Sequence, residues 1–230
     1  MRDGKIVILT GAGISAESGL ATFRDAGGLW EHVRLEDVAT PEAFARNPDT
    51  VHAFYNMRRA QAAAAAPNAA HAALARLQAA HPDTVIVTQN VDALHERAGA
   101  TVIHMHGALA GALCAACDHR WAAPPEMDTT TACPACQHPA ARPDVVWFGE
   151  MPYHMETIAG HLETADLFVA IGTSGQVYPA AGFVAEARRA GARTLELNLA
   201  ASDVSAAFDA HEVGPASTIV PAWVHDMLAG

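Results

Sequence analysis

The stretch KIVILTGAGISAESGL, residues 5–20, decides the fold because it joins an apolar run to a glycine loop. Its first six residues are typical of a buried parallel strand. Gly11, Ala12 and Gly13 follow at once, where backbone N–H groups and the start of a helix can meet a pyrophosphate. A tight turn that binds no ligand fits the same residues. Ala16 stands where a dehydrogenase fingerprint has its third glycine, which weakens a hydride-transfer interpretation.

Strands and helices alternate along the rest of the chain. Further apolar runs predict strands at 84–88, 101–104, 166–171 and 193–198. Stretches of helical character lie at 48–65, 68–79, 91–98 and 179–190. This order is typical of an α/β domain, and we expect a doubly wound, Rossmann-like parallel sheet. Polar or small residues follow each strand, so we expect one ligand crevice at the carboxyl ends of the strands.

Four cysteines interrupt this alternation and predict a metal site. Cys114 and Cys117 form one CxxC pair, Cys133 and Cys136 form another, and fifteen residues separate the pairs. That spacing is typical of a small zinc-ribbon insert in which four thiolates hold a structural Zn²⁺. Disulfides are the alternative, which the predicted reducing compartment disfavours. Four thiolate ligands leave no coordination site for water, so metal-dependent hydrolysis is disfavoured as well.

Composition excludes several classes of function. The chain has 230 residues, of which 51% are hydrophobic and 17% charged, as in a compact globular protein. Its net charge is -11, from 14 basic and 25 acidic residues, which disfavours nucleic acid as a ligand. We find neither a signal peptide nor a membrane-spanning run, and therefore expect a soluble cytoplasmic protein.

Polar side chains that can bind a ligand or act as a base cluster near the ends of two of the predicted strands. Asn90 and Asp92 follow the strand at 84–88, and such groups can bind a carboxamide and ribose hydroxyls. Asp92 as a simple helix cap is the alternative. His104 and His106 lie two residues apart, so they share one face if the strand stays extended, and either can act as a general base near neutral pH. We expect most of the other histidines at the surface.

The chain resembles the sirtuin family along essentially its whole length, and five segments carry the resemblance. They are GAGISAESGLATFRDAGGLW (11–30), TQNVDALHERAG (88–99), IHMHG (103–107), RPDVVWFGEMP (142–152) and GTSGQVYP (172–179). The resemblance implies an NAD-dependent protein-lysine deacylase that transfers the acyl group to ADP-ribose and releases nicotinamide. It implies His106 as the catalytic base, with His104 as the rival. Protein ADP-ribosyl transfer is the alternative activity.

The resemblance also implies where NAD and the substrate peptide bind. For NAD it indicates Gly11, Ala12, Gly13, Ser15, Glu17, Phe23, Arg24, Trp30, Gln89, Asn90, Asp92, Gly172, Thr173, Ser174, Asn198 and Ala216. For an acylated-lysine protein substrate it indicates the backbone of Val146, Trp147, Phe148 and Gly149 and that of Gly175, Gln176 and Val177. An extended segment there can take up a peptide as an added strand. A core strand with Val146 and Phe148 buried is the alternative.

Tyr55 and Arg58 lie three residues apart and therefore on one helix face. A phenol beside a guanidinium can bind a carboxylate, although a core Tyr next to a surface Arg is the alternative. The pair resembles the motif of the sirtuin branch that removes succinyl and malonyl groups, and Thr22 agrees, since many sirtuins have Asp there. The domains we expect are the sheet domain (1–108 and 143–230) and the zinc-ribbon module (109–142). Part of 27–66 would form a helical insert around the acyl group, and oligomeric state is left open.

Overall fold

The computed structural model of the protein describes residues 4–20 and 34–229. The strands are Ile6–Thr10 (β1), Thr84–Thr88 (β2), Val102–His104 (β3), Gly107–Cys114 (β4), Arg120–Ala122 (β5), Ala141–Val145 (β6), Leu167–Ile171 (β7), Arg193–Asn198 (β8) and Ala210–Val213 (β9). The α-helices are Gly13–Ala16 (α1), Leu35–Val38 (α2), Pro41–Arg46 (α3), Pro48–Ala64 (α4), Ala69–Ala80 (α5), Leu94–Arg97 (α6), Met155–Glu163 (α7), Phe183–Arg189 (α8) and Ala216–Ala229 (α9).

Six of these strands form one parallel sheet in the order β3-β2-β1-β7-β8-β9. Counted along the chain within this sheet, the order is the dinucleotide-binding one, in which the direction of winding reverses next to the first strand. The predicted doubly wound, Rossmann-like sheet is therefore confirmed. The reversal lies between β1 and β7, where the glycine loop meets the segment that begins at Gly172. A sheet of this kind binds its ligand at that point.

Strand β1 is buried on both faces and shows how the helices cover the sheet. Ile6 and Ile8 belong to a hydrophobic cluster with residues of α5 and α9. Val7 and Leu9 point to the opposite face and belong to a cluster with residues of α7 and α8. A continuous apolar run is thus required, because alternate side chains enter two separate cores.

The zinc-ribbon insert contains a second, antiparallel sheet in the order β5-β4-β6. β4 begins at Gly107, directly after the second histidine of IHMHG, and β6 ends at Val145. A third hydrophobic cluster joins this sheet to helices α2 to α4, with Tyr55 and Trp147 among its members. The proposed domain boundaries at 109 and 142 stay a prediction.

The predicted elements differ from the observed ones mainly at helix ends. The helix predicted at 91–98 is limited to Leu94–Arg97, because the Asp92 carboxylate accepts the Leu94 N–H and starts the helix there. The helix predicted at 179–190 begins as a 3₁₀ turn and is α-helical over Phe183–Arg189. β9 was not predicted because it is a short edge strand, exposed throughout, with no apolar run. Within the described ranges, no helix has both the length and the apolar character to cross a membrane.

Candidate active site

Glycines bring the loops after β1 and β7 into contact at the reversal point of the sheet. The N–H of Gly13 donates to the carbonyl of Gly172 at 2.8 Å, and a Cβ on Gly11 would lie 2.7 Å from that same oxygen. Gly172 has φ +62°, and a Cβ there would collide with the backbone nitrogen of Ile14. The glycine loop therefore packs directly against Gly172, with no room for a Cβ at these positions.

A buried polar cluster lies beside this loop. Asn90 Nδ2 donates to the Gly11 carbonyl and to Ser15 Oγ, both at 3.2 Å, and Ser15 Oγ donates to Asp92 Oδ2 at 3.1 Å. Asp92 Oδ1 accepts the Leu94 N–H, so Asp92 contacts the start of α6 and Ser15 at the same time. Among the described residues, nothing donates to Asn90 Oδ1. That amide oxygen can accept a carboxamide N–H from a ligand.

His104 and His106 contact consecutive carbonyls of the loop after β2, but their second ring nitrogens differ. His106 Nδ1 lies 3.1 Å from the carbonyl of Gln89, and His104 Nδ1 lies 2.9 Å from that of Asn90. His104 Nε2 also contacts Glu96 Oε1 at 2.6 Å. His106 Nε2 has no partner in the described part of the chain. Because a carbonyl can only accept, Nδ1 of His106 carries the proton, and its Nε2 is left as the acceptor that a general base needs.

The two histidines also differ in basicity. Burial lowers the pKa of His106, and its hydrogen bond to the Gln89 carbonyl offsets this only in part. Burial also acts to lower the pKa of His104, but the hydrogen bond and charge of Glu96 raise it above the ordinary value. His106 is therefore the neutral base at a pH where His104 still carries its proton. The structure favours His106 over its rival on both geometry and charge.

Two further histidines, His71 and His95, contact residues of β1 and the glycine loop region. His71 Nε2 lies 3.5 Å from Ser15 Oγ, and His95 Nε2 lies 3.0 Å from Thr10 Oγ1. Burial lowers the pKa of His71 to about 4 and that of His95 to about 3, so both are neutral. His71 and His95 are buried, as is His52, so these three are exceptions to the expectation that most of the other histidines lie at the surface. The one local signal was Asn68, which caps α5 together with His71.

Tyr55 and Arg58 lie on α4, and Trp147 follows the end of β6. Trp147 Nε1 donates to Tyr55 Oη at 2.9 Å, and both side chains are buried. The oxygen of Tyr55 is thus taken as an acceptor, and its own O–H remains a donor. Burial raises the pKa of Tyr55 to about 12, so the phenol is protonated. Burial lowers the pKa of the half-buried Arg58, whereas the charges of Tyr55 and Asp92 act to raise it.

Trp147 is held in place by Arg142 and Glu150. The guanidinium of Arg142 lies 3.6 Å from the centre of the indole ring. The same guanidinium forms a two-pronged ion pair with Glu150, at 2.7 and 2.9 Å. Glu150 Oε2 also accepts the backbone N–H of Trp147 at 2.8 Å. Arg142 thus holds the indole ring and Glu150 holds the Trp147 backbone, so the direction of the indole N–H toward Tyr55 is fixed.

The segment 146–149, which was predicted to hold a peptide, lies outside the small sheet. β6 ends at Val145, and the next residues form a turn. Phe148 is 47% exposed and Trp147 is buried, which is the opposite of the core-strand alternative. The N–H groups of Val146 and Phe148 donate to the carbonyls of His106 and Ala39. Among described residues, the Val146 and Phe148 carbonyls accept no backbone hydrogen bond.

The other predicted site residues lie in the loops that follow the strands and at the ends of two helices. Gln89 Nε2 donates to Thr173 Oγ1, and Asn198 Nδ2 donates to the Thr173 carbonyl. The Glu17 oxygens accept the N–H and O–H of Ser217, which ties α1 to the start of α9. The further predicted positions are Ala12, in the glycine loop; Ser174, Gly175, Gln176 and Val177, in the loop after β7; Gly149, in the turn after β6; and Ala216, the first residue of α9. Thr22, Phe23, Arg24 and Trp30 lie outside the described residues.

The four cysteines of the insert come together as predicted. All four Sγ atoms lie within 4.8 Å of one another, with Cys114 and Cys136 at 3.6 Å and Cys117 and Cys133 at 3.7 Å. Zn–S bonds of about 2.3 Å in a tetrahedron place sulfurs about 3.8 Å apart, so the set fits zinc. The backbone supports this geometry, since Ala116 and Ala135 N–H groups each donate to a cysteine sulfur. All four are free cysteines, so the disulfide alternative is wrong.

Comparison with known proteins agrees with this geometry. The Sir2 family model matches residues 11–179, which is more than half of the chain. The chain belongs to the Sir2 family. An NAD-dependent protein deacylase of Caulobacter vibrioides is 54% identical to this Sir2-family chain over 231 residues, covering 98% of this chain and 97% of the relative.

Solved Sir2 structures share the fold of this Sir2-family protein. A Sir2 homologue mutant in complex with ADP-ribose superposes with a TM-score of 0.91 at 36% identity, covering 97% of this chain and 92% of the other. A Sir2 homologue in complex with NAD superposes with a TM-score of 0.89 at 36% identity, covering 99% and 92%. The sirtuin resemblance seen in the sequence is thereby confirmed.

Proposed function

We propose that this Sir2-family protein removes acyl groups from lysine side chains with NAD as co-substrate, and that it accepts acyl groups ending in a carboxylate. An NAD-dependent protein deacylase follows from the family and from 54% identity over 98% of the chain to a protein of that name. These relationships favour deacylation over ADP-ribosyl transfer to protein. The preference for acidic acyl groups rests on the site itself.

The observation that carries the proposal is the open Nε2 of His106 beside the Ser15–Asn90–Asp92 cluster. When bound, NAD supplies a glycosidic bond between nicotinamide and ribose that breaks during acyl transfer. Asn90 Oδ1 would accept the carboxamide N–H of nicotinamide and so orient that ring. His106 Nε2 would take a proton from a ribose hydroxyl, with Nδ1 held by the Gln89 carbonyl so that the ring keeps the required tautomer.

The acyl preference is supported by the donors at the other end of the site. Tyr55 has its oxygen occupied by the Trp147 N–H and offers an O–H, and Arg58 offers a cation one turn along the same helix. A carboxylate can accept from both, whereas an acetyl methyl group cannot. Succinyl- and malonyl-lysine carry such a carboxylate.

The substrate would enter as an extended peptide. The unpaired carbonyls of Val146 and Phe148 can accept N–H groups from a peptide backbone. Backbone pairing of this kind depends little on side-chain sequence, so one enzyme can act on many acylated proteins. The segment 175–177, in the loop after β7, would pair with the other edge of the peptide.

The test is a set of peptides that differ only in the acyl group, assayed with NAD for free nicotinamide and free lysine. Butyryl-lysine is the matched control for succinyl-lysine, because it has the same chain length and no terminal charge. We expect kcat/KM to be higher for succinyl than for butyryl by at least tenfold, the effect of one charge-assisted contact. Equal values would refute the acidic preference. ADP-ribosylated peptide, or reduced cofactor without nicotinamide, would refute deacylation itself.

A further inference from the structure

His104 lies beside His106 in IHMHG, and the proposed reaction does not use it. It is the last residue of β3, and both of its ring nitrogens are engaged within the protein. Nδ1 lies 2.9 Å from the carbonyl of Asn90, and Nε2 lies 2.6 Å from Glu96 on α6. An imidazole with both nitrogens committed cannot serve as a base for substrate. Its contacts lead instead to Asn90, whose side chain lies in the buried polar cluster.

We infer that His104, paired with Glu96, is a positioning residue that holds the backbone carbonyl of Asn90 and so keeps the Asn90 amide in place for the nicotinamide carboxamide. The inference rests on the proposed function, since it assigns Asn90 to NAD. Asn90 is otherwise held by its backbone N–H, which donates to Thr88 Oγ1, and by two bonds of its Nδ2 at 3.2 Å. His104 is thus what fixes the carbonyl side of this residue.

Protonation decides whether the contact with Asn90 exists. The imidazolium donates from both nitrogens, to the Asn90 carbonyl and to the Glu96 carboxylate. When one proton is lost, the remaining proton stays on Nε2, because the charged carboxylate is the stronger acceptor. Nδ1 then turns a lone pair toward the carbonyl oxygen, and the contact becomes repulsive. Loss of one proton from His104 therefore releases Asn90.

The charged groups around His104 favour its protonated form. Glu96 and His95 face it from α6, and Asp92 faces it from the loop after β2. Burial lowers the pKa of His104 and the His95 ring is neutral, whereas Glu96 and Asp92 raise the pKa, with a net rise. The clamp is thus present below this raised pKa and is lost as the pH rises through it. His106 titrates lower, so the two events are separable.

Two substitutions at His104 test its two contacts separately, because each keeps one contact and removes the other. Asn places an N–H near the position of Nδ1, and Gln places one near that of Nε2. H104N keeps the donor to Asn90 and loses Glu96, whereas H104Q keeps Glu96 and loses the donor to Asn90. We expect the dissociation constant for NAD, measured by calorimetry, to rise roughly tenfold in H104Q and to stay within about twofold of wild type in H104N. Equal weakening in both would overturn the inference in favour of a general structural role.

Glu96→Gln supplies an independent test through pH. Gln can donate its amide N–H to a neutral Nε2, so the proton of His104 moves to Nδ1 and the Asn90 contact no longer depends on pH. In wild type we expect NAD affinity to fall as the pH rises through the pKa of His104, and in E96Q we expect it to stay level. A wild-type affinity that does not vary with pH would overturn the inference. Direct NAD binding is measured in each case, so failure of the deacylation assay remains distinguishable.

Discussion

Replacing Arg58 with Met should remove activity on acidic acyl groups far more than activity on acetyl groups. Met keeps the length and apolar character of the Arg stem and removes only the cation. Losing a charge-assisted hydrogen bond costs about 1.5–3 kcal/mol, which is about 10- to 150-fold in kcat/KM. An acetyl group carries no carboxylate, so Arg58→Met removes no such hydrogen bond from an acetyl substrate. We therefore expect the succinyl-to-acetyl ratio of kcat/KM to fall by about that factor.

The fold should tolerate this change, because burial already lowers the pKa of Arg58 and so makes its charge costly. Arg59→Met is the matched control at the next position of α4. Arg59 Nε donates to the Leu109 carbonyl and Nη1 to Asn56 Oδ1, both at 2.9 Å, so its loss should lower thermal stability and leave the ratio unchanged. Peptide kinetics and melting temperatures of both variants decide the matter. Equal losses on succinyl and acetyl peptides in R58M would refute an acyl-selecting Arg58.

His106→Ala should lower kcat about 10²–10⁴-fold with zinc content and melting temperature unchanged, as expected for loss of a general base. His225→Ala, at an exposed position of α9, is its control, and near-normal turnover in H106A would exclude His106 as the base. Removing zinc with a chelator should lower the melting temperature, because structural metal binding contributes folding free energy. Calorimetry with and without chelator measures this, and an unchanged transition would show that the four cysteines do not need the metal.

Much of the architecture was predictable because short sequence patterns, such as apolar runs and CxxC pairs, determine it. Apolar runs located β1, β2, β7 and β8 to within one residue, since a strand buried on both faces tolerates few polar side chains. The CxxC pairs predicted the metal cluster, because two residues between cysteines place both sulfurs on one turn. Strand β9 escaped detection, since an exposed edge strand needs neither an apolar run nor alternation. The segment 142–152 was predicted as extended, but it is a strand only as far as Val145 and turns at 148–149.

The sequence by itself determined the family, the doubly wound fold class, the zinc ligands and the two histidines that compete for the role of base. Tertiary structure distinguishes those histidines, because Glu96 occupies Nε2 of His104 and nothing in the described chain occupies that of His106. It also joined Trp147 to Tyr55, which lie 92 positions apart. Hydrogen-bond partners at such separations leave no period in the sequence, and the function of a polar side chain depends on which of its atoms those partners have already taken.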